Sequence, residues 1–128
     1  MPKSYKQKLK LLYLMQILLE KTDEAHLLSV SEMIKELAAF GISVERKTIY
    51  DDLEALRTFG LDIEQIKSLG TSYYVASREF ELPEVKLLVD SVQSSKFITQ
   101  KKTLALIKKI EKLASVHQAK QLHRQVFV

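Results

Sequence analysis

Arg46, Lys47 and Thr48 stand side by side in a chain of 128 residues with little reactive chemistry elsewhere. A guanidinium and an ammonium group match the O6 and N7 acceptors of guanine, and a threonine suits a phosphate oxygen or a thymine methyl. Tyr50 adds a hydroxyl for phosphate. Asp51 adds a carboxylate able to accept from cytosine N4. A second polar group lies downstream in Lys67-Ser68-Leu69-Gly70-Thr71-Ser72. There Lys67, Ser68, Thr71 and Ser72 offer donors to phosphate or to a minor groove. All of this is the chemistry of a non-covalent grip.

Covalent chemistry lacks its parts. Without cysteine there is no disulfide framework and no thiolate metal site. His26, His117 and His123 form neither an i, i+4 pair nor an H-E-x-x-H motif. Asp51, Asp52 and Glu54 have no nucleophile or metal-ligand spacing beside them, and a cluster of acids on a helix is usually a solvated face. No catalytic residue, cofactor or metal is expected, and an enzyme is the least supported class.

The elements that must carry these residues follow from hydrophobic period and from three glycines. Tyr5 to Lys21 reads as a central helix, with Leu9, Leu12, Tyr13, Ile17 and Leu18 inward and Lys6, Lys8 and Lys10 at its start. Those lysines oppose the helix dipole and are weaker candidates for phosphate. His26-Leu27-Leu28 suits a short strand. Ser29 and Glu32 have capping-box spacing, opening a helix to about Phe40 with Met33, Ile34, Leu37 and Ala38 inward. Gly41 ends it. A further helix runs from about 45 to 59, burying Ile49, Leu53 and Leu56 and leaving Lys47, Tyr50, Asp51, Glu54 and Thr58 outside, with Arg46 at the edge of that face. Asp52, nearer the buried side, is expected to make a structural hydrogen bond. After Gly60 the pattern becomes that of a β-hairpin around Gly70, with one of Tyr73 and Tyr74 inside.

Two helices joined by a glycine turn and followed by a hairpin form a winged helix-turn-helix, whose second helix enters the major groove of duplex DNA. The expected fold is mainly α with a small β-hairpin: residues 1–78 as the winged unit, residues 79–128 as a helical extension. In the extension Pro83 opens a helix carrying Val85, Leu88, Val89 and Val92, and Ser94–Phe97 interrupts it. Thr99 caps another with Leu104, Ile107, Ile110, Leu113 and Ala114 inward. Val116–Arg124 reads as helix, and Gln125–Val128 reads as strand. The apolar stripes of 84–124 could form a homodimer interface.

Charge is unevenly divided. Residues 1–76 hold ten Lys/Arg against eleven Asp/Glu, and residues 77–128 hold ten against five. The winged unit therefore lacks the basic footprint usual for a DNA-binding domain, and a protein-interaction module that does not bind DNA is the alternative. No signal peptide and no membrane-spanning run is legible, and the expected compartment is the cytoplasm.

The runs Ser29–Glu32 and Val44-Glu45-Arg46-Lys47-Thr48-Ile49-Tyr50-Asp51-Asp52-Leu53-Glu54-Ala55-Leu56 resemble the DeoR-type helix-turn-helix of WYL-domain transcriptional regulators. The downstream runs Tyr73–Glu84, Ser94–Thr99 and Gln118–Leu122 extend the resemblance over nearly the whole chain. The resemblance implies a bacterial transcription regulator. Its effector, often a nucleotide or nucleic acid, would bind only at a WYL domain beyond Val128, absent from this chain. Arg46, Lys47 and Thr48 match the family pattern. Asp51 departs from it, since many members are basic there.

Overall fold

The computed structural model describes residues 3–126, and side chains from Lys6 to Leu122. The chain divides into two compact units, Met1–Ala76 and Ser77–Val128.

The first unit is built on helix α1 (Lys3–Lys21), which buries Leu14, Ile17 and Leu18. Tyr13 stacks on Phe40 with ring centroids 4.4 Å apart. Leu12, expected inward, is exposed, because two residues of helical turn carry it to the far side of α1 from Leu14. Strand β1 (Leu28–Ser29) begins later than expected. His26 cannot join it, since its backbone exchanges hydrogen bonds with that of Asp23.

Helix α2 (Val30–Ala39) opens on the expected capping box. Ser29 Oγ accepts from the Glu32 N–H at 3.2 Å, and Glu32 Oε1 accepts from the Ser29 N–H at 2.9 Å. Met33 and Leu37 are buried and Ile34 is half-buried. Ala38 is exposed, and Val30, one turn before Met33, is buried in its stead. The helix ends in a Schellman motif: Gly41 N–H donates to Ala38 O and Ile42 N–H to Leu37 O. Gly41 has φ +77°, a conformation that favours glycine.

Helix α3 (Arg46–Phe59) buries Ile49, Leu53 and Leu56, as its period required. Strands β2 (Ile63–Lys67) and β3 (Thr71–Val75) then form a hairpin. The sheet is antiparallel in the order β1-β3-β2, with Leu28 opposite Tyr73 and Lys67 opposite Thr71. Tyr73 is buried and Tyr74 half-buried, so the strand alternation holds.

In the second unit α4 (Leu82–Gln93) starts with Glu84 Oε1 accepting from the Glu81 N–H at 2.8 Å and the Glu84 N–H donating to Glu81 O at 2.9 Å, and it buries Val85 and Val89. Helix α5 (Gln100–Glu111) is capped by Thr99, whose side chain accepts from the Lys102 N–H, and buries Ile107. Leu104 is exposed, contrary to its expected place. It lies three residues before Ile107, at one edge of the buried stripe. Leu113 and Ala114 fall in the turn beyond α5. Helix α6 (Val116–Val126) includes Gln125 and Val126, correcting the expected strand there. Ser115 and Gln118 cap each other's backbone and start the helix, and among the described residues the second unit offers no strand for an extended end to pair with. Residues 127 and 128 lie outside the described residues.

Candidate nucleic-acid interface

The site residues depend on how α3 is held. Its N-cap, Glu45, makes no side-chain capping bond. The entry angle is fixed by apolar packing instead. Val44 and Ile49 occupy the positions of a hydrophobic staple, and both pack into the same cluster. Ile42, buried in the turn, adds a second anchor. From the other side Lys6 Nζ donates to Gly41 O at 3.0 Å.

This places Arg46, Lys47, Thr48, Tyr50 and Asp51 on exposed surface at the amino end and outer face of α3. Arg46 Nη1 donates to Ser31 Oγ at a long 3.4 Å and, among the described residues, makes no ion pair, so its guanidinium is close to uncommitted. Among the described residues Lys47 makes no ion pair. Thr48 Oγ1 already donates to Glu45 O at 2.9 Å. Its methyl and lone pairs stay available, but a bond to phosphate would replace that one. Tyr50 is 45% exposed.

The carboxylates of α3 fall into distinct roles. Asp52 meets Lys10 Nζ at 3.0 Å with both side chains largely covered. The approach is off the hydrogen-bonding direction, so the contact is mainly coulombic. Lys10 and Lys6 are thus engaged within the unit, and a phosphate contact by either would compete with these bonds. Lys8 is exposed. Glu54 pairs with Arg57, whose Nε also donates to Ile63 O at 3.0 Å, tying the end of α3 to the start of the wing. Asp51 is exposed and, among the described residues, unpaired.

The wing places Lys67 and Ser68 in the open and leaves Thr71 and Ser72 half-exposed. Gly70, at φ +101°, allows the tight return. At the tip Leu69 is fully exposed.

Two positioning residues, Thr22 and Arg57, were not foreseen. Thr22 is fully buried: its Oγ1 donates to Leu18 O at 2.6 Å and accepts from the Val75 N–H at 3.0 Å, fastening β3 to α1. Arg57 had a local signal in its i, i+3 spacing to Glu54. Tyr73 lies close enough to α3 to feel its charges. Burial, then the Tyr50 phenol, raises its pKa above the ordinary 10.0, with Glu54 pushing the same way and Arg57 and Arg46 opposing.

A glycine-closed helix pair, an exposed polar face on its second helix and a hairpin beyond define a winged helix-turn-helix, followed in this chain by a helical extension. Residues 12–68 match the family model described as FokI, D3 domain, a winged-helix-like domain associated with DNA binding. The match spans less than half of the chain. It contains the helix pair and ends inside the wing turn, before Thr71 and Ser72. No curated protein and no solved structure matches the chain. Among the described residues no cluster of potential metal ligands occurs, and no helix is long and apolar enough to cross a membrane.

Proposed function

We propose that this chain binds duplex DNA sequence-specifically, as the DNA-reading part of a transcriptional regulator of the DeoR-type winged-helix class that accompanies WYL domains. The observation that carries the proposal is the placement of Arg46 and Lys47. Both are exposed at the amino end of the second helix of the motif, where base contact is made in this architecture. Arg46 and Lys47 read or grip the major groove. Tyr50 holds phosphate, Asp51 faces the bases, and Lys67, Ser68, Thr71 and Ser72 touch the flanking backbone. The chemistry is binding, with no catalytic step. A homodimer through the stripes of residues 84–124 would match two half-sites of a palindrome.

The test is fluorescence anisotropy with duplex from the native gene's upstream region against scrambled duplex, across a salt series. The reading expects binding that weakens steeply with salt, and a preference for the upstream duplex that collapses in Arg46→Ala/Lys47→Ala. The near-neutral charge of residues 1–76 favours a second reading, a protein-interaction module. That reading expects binding to a protein partner that persists at high salt and is indifferent to those two substitutions.

A further inference from the structure

Helix α5 has a face that the winged unit lacks. Lys101, Lys102, Lys108 and Lys109, with Lys112 at the C-cap, are all exposed. At about 100° per residue, Lys101, Lys108 and Lys112 fall within roughly 40° of one another, with Lys102 and Lys109 about 90° round from them. Ile107 and the half-buried Ile110 occupy the other side. Among the described residues none of the five lysines is ion-paired.

An ordinary solvated helix face does not account for this. Such faces interleave signs, as Lys86 and Asp90 do at 2.9 Å in α4 of the same unit. Beyond Asp90 the sequence holds eight Lys/Arg and a single acid, Glu111. Lys101 and Lys102 also sit in the first turn of α5, which holds no acid. Cations there work against the helix dipole, so the helix is less stable for carrying them.

We propose that the lysine face of α5 is a second, sequence-independent nucleic-acid surface that grips the phosphate backbone of duplex DNA. The inference rests on the reading that the chain binds duplex DNA, and it says where the electrostatic attraction originates. Lys101 to Lys112 span about 16 Å of helix axis, the length of about five phosphates of one strand at about 3.4 Å each. The occupant is chosen by charge complementarity: a regular polyanion answers a row of unpaired ammonium groups.

The experiment uses the full chain and the variant Lys101→Gln/Lys102→Gln/Lys108→Gln/Lys109→Gln/Lys112→Gln. Glutamine is a good helix former and relieves the clash with the dipole, so unchanged far-UV circular dichroism is expected. Anisotropy on upstream and scrambled duplexes is read as log affinity against log salt. Each lost phosphate contact lowers the slope by about 0.9, so the loss of five should lower it by up to about 4.5, with both duplexes weakened alike. Arg46→Ala/Lys47→Ala should instead lose the preference for the upstream duplex. An unchanged slope in the glutamine variant, with wild type binding DNA, overturns the inference and leaves the functional reading standing. Wild type binding no duplex even at low salt defeats the functional reading itself. Lysine-dependent sedimentation with vesicles of anionic phospholipid, without DNA binding, would assign the face to a membrane and overturn the inference.

Discussion

Replacing Thr22 with valine removes one hydroxyl and leaves the buried volume unchanged. That hydroxyl serves two partners, Leu18 O at 2.6 Å and the Val75 N–H at 3.0 Å. Leu18 O keeps a bond from the Thr22 backbone N–H at 3.2 Å, so it is not orphaned. The N–H of Val75, a residue only 2% exposed, loses its acceptor. An orphaned buried donor costs about 1–3 kcal/mol, so about 2 kcal/mol is expected. Thr22→Ser keeps the hydroxyl and loses one buried methyl, at about 0.8 kcal/mol. All five tyrosines fall within residues 1–76, so tyrosine fluorescence during urea unfolding reports on the first unit alone. With a slope of about 1–2 kcal/mol/M, the valine variant should lose roughly 1–2 M of midpoint and the serine variant less than half of that. A valine variant as stable as wild type, or more stable than the serine variant, would show that the Thr22 bridge does not hold β3 to α1.

Ser29→Ala removes the acceptor for the Glu32 N–H and should cost about 1 kcal/mol. The same tyrosine-monitored midpoint checks it, together with faster hydrogen exchange in the first turn of α2. Tyr73 gives a pH test. Its folded pKa is raised above the ordinary 10.0 by burial first and by the Tyr50 phenol second. The folded state therefore favours the neutral phenol. This contribution to stability is fully present below pH about 10 and is lost as pH rises through the higher folded value. Tyr73→Phe should weaken that alkaline loss, measured as urea midpoint against pH from 8 upward, and an unaltered profile would count against the assignment.

Local signals in the sequence carried much of the fold. The Ser29–Glu32 box, the Gly41 stop and the Ile49-Leu53-Leu56 stripe are written within a few residues of where they act. What was not legible is long-range. Nothing near Thr22 in sequence announces a bond to Val75, and nothing near Lys10 announces Asp52. The misplaced strand at His26 has the same origin, because the competing bonds to Asp23 belong to a turn with no apolar signature. For the candidate site, the exposed face of α3 could be read from its period. The engagement of Lys6, Lys10 and Thr48 could not, since a side chain's partner depends on what the fold brings beside it.

The mixed charge of α3 bears on how such a module would work. Glu54 is balanced by Arg57 and Asp52 by Lys10. The remaining exposed groups are Glu45 and Asp51 against Arg46 and Lys47, which cancel. A face of this kind can discriminate base edges, because donors and acceptors both occur on it. It draws little on counterion release, which supplies most non-specific affinity. On the proposed function, a winged unit with this surface would draw its attraction to DNA from elsewhere, and the second unit holds the excess of positive charge. Selectivity and affinity would then be carried by different residues. Substitutions on α3 should alter which duplex is preferred with little effect on salt dependence. Substitutions on α5 should do the reverse. A variant set in which both properties always moved together would refute this division.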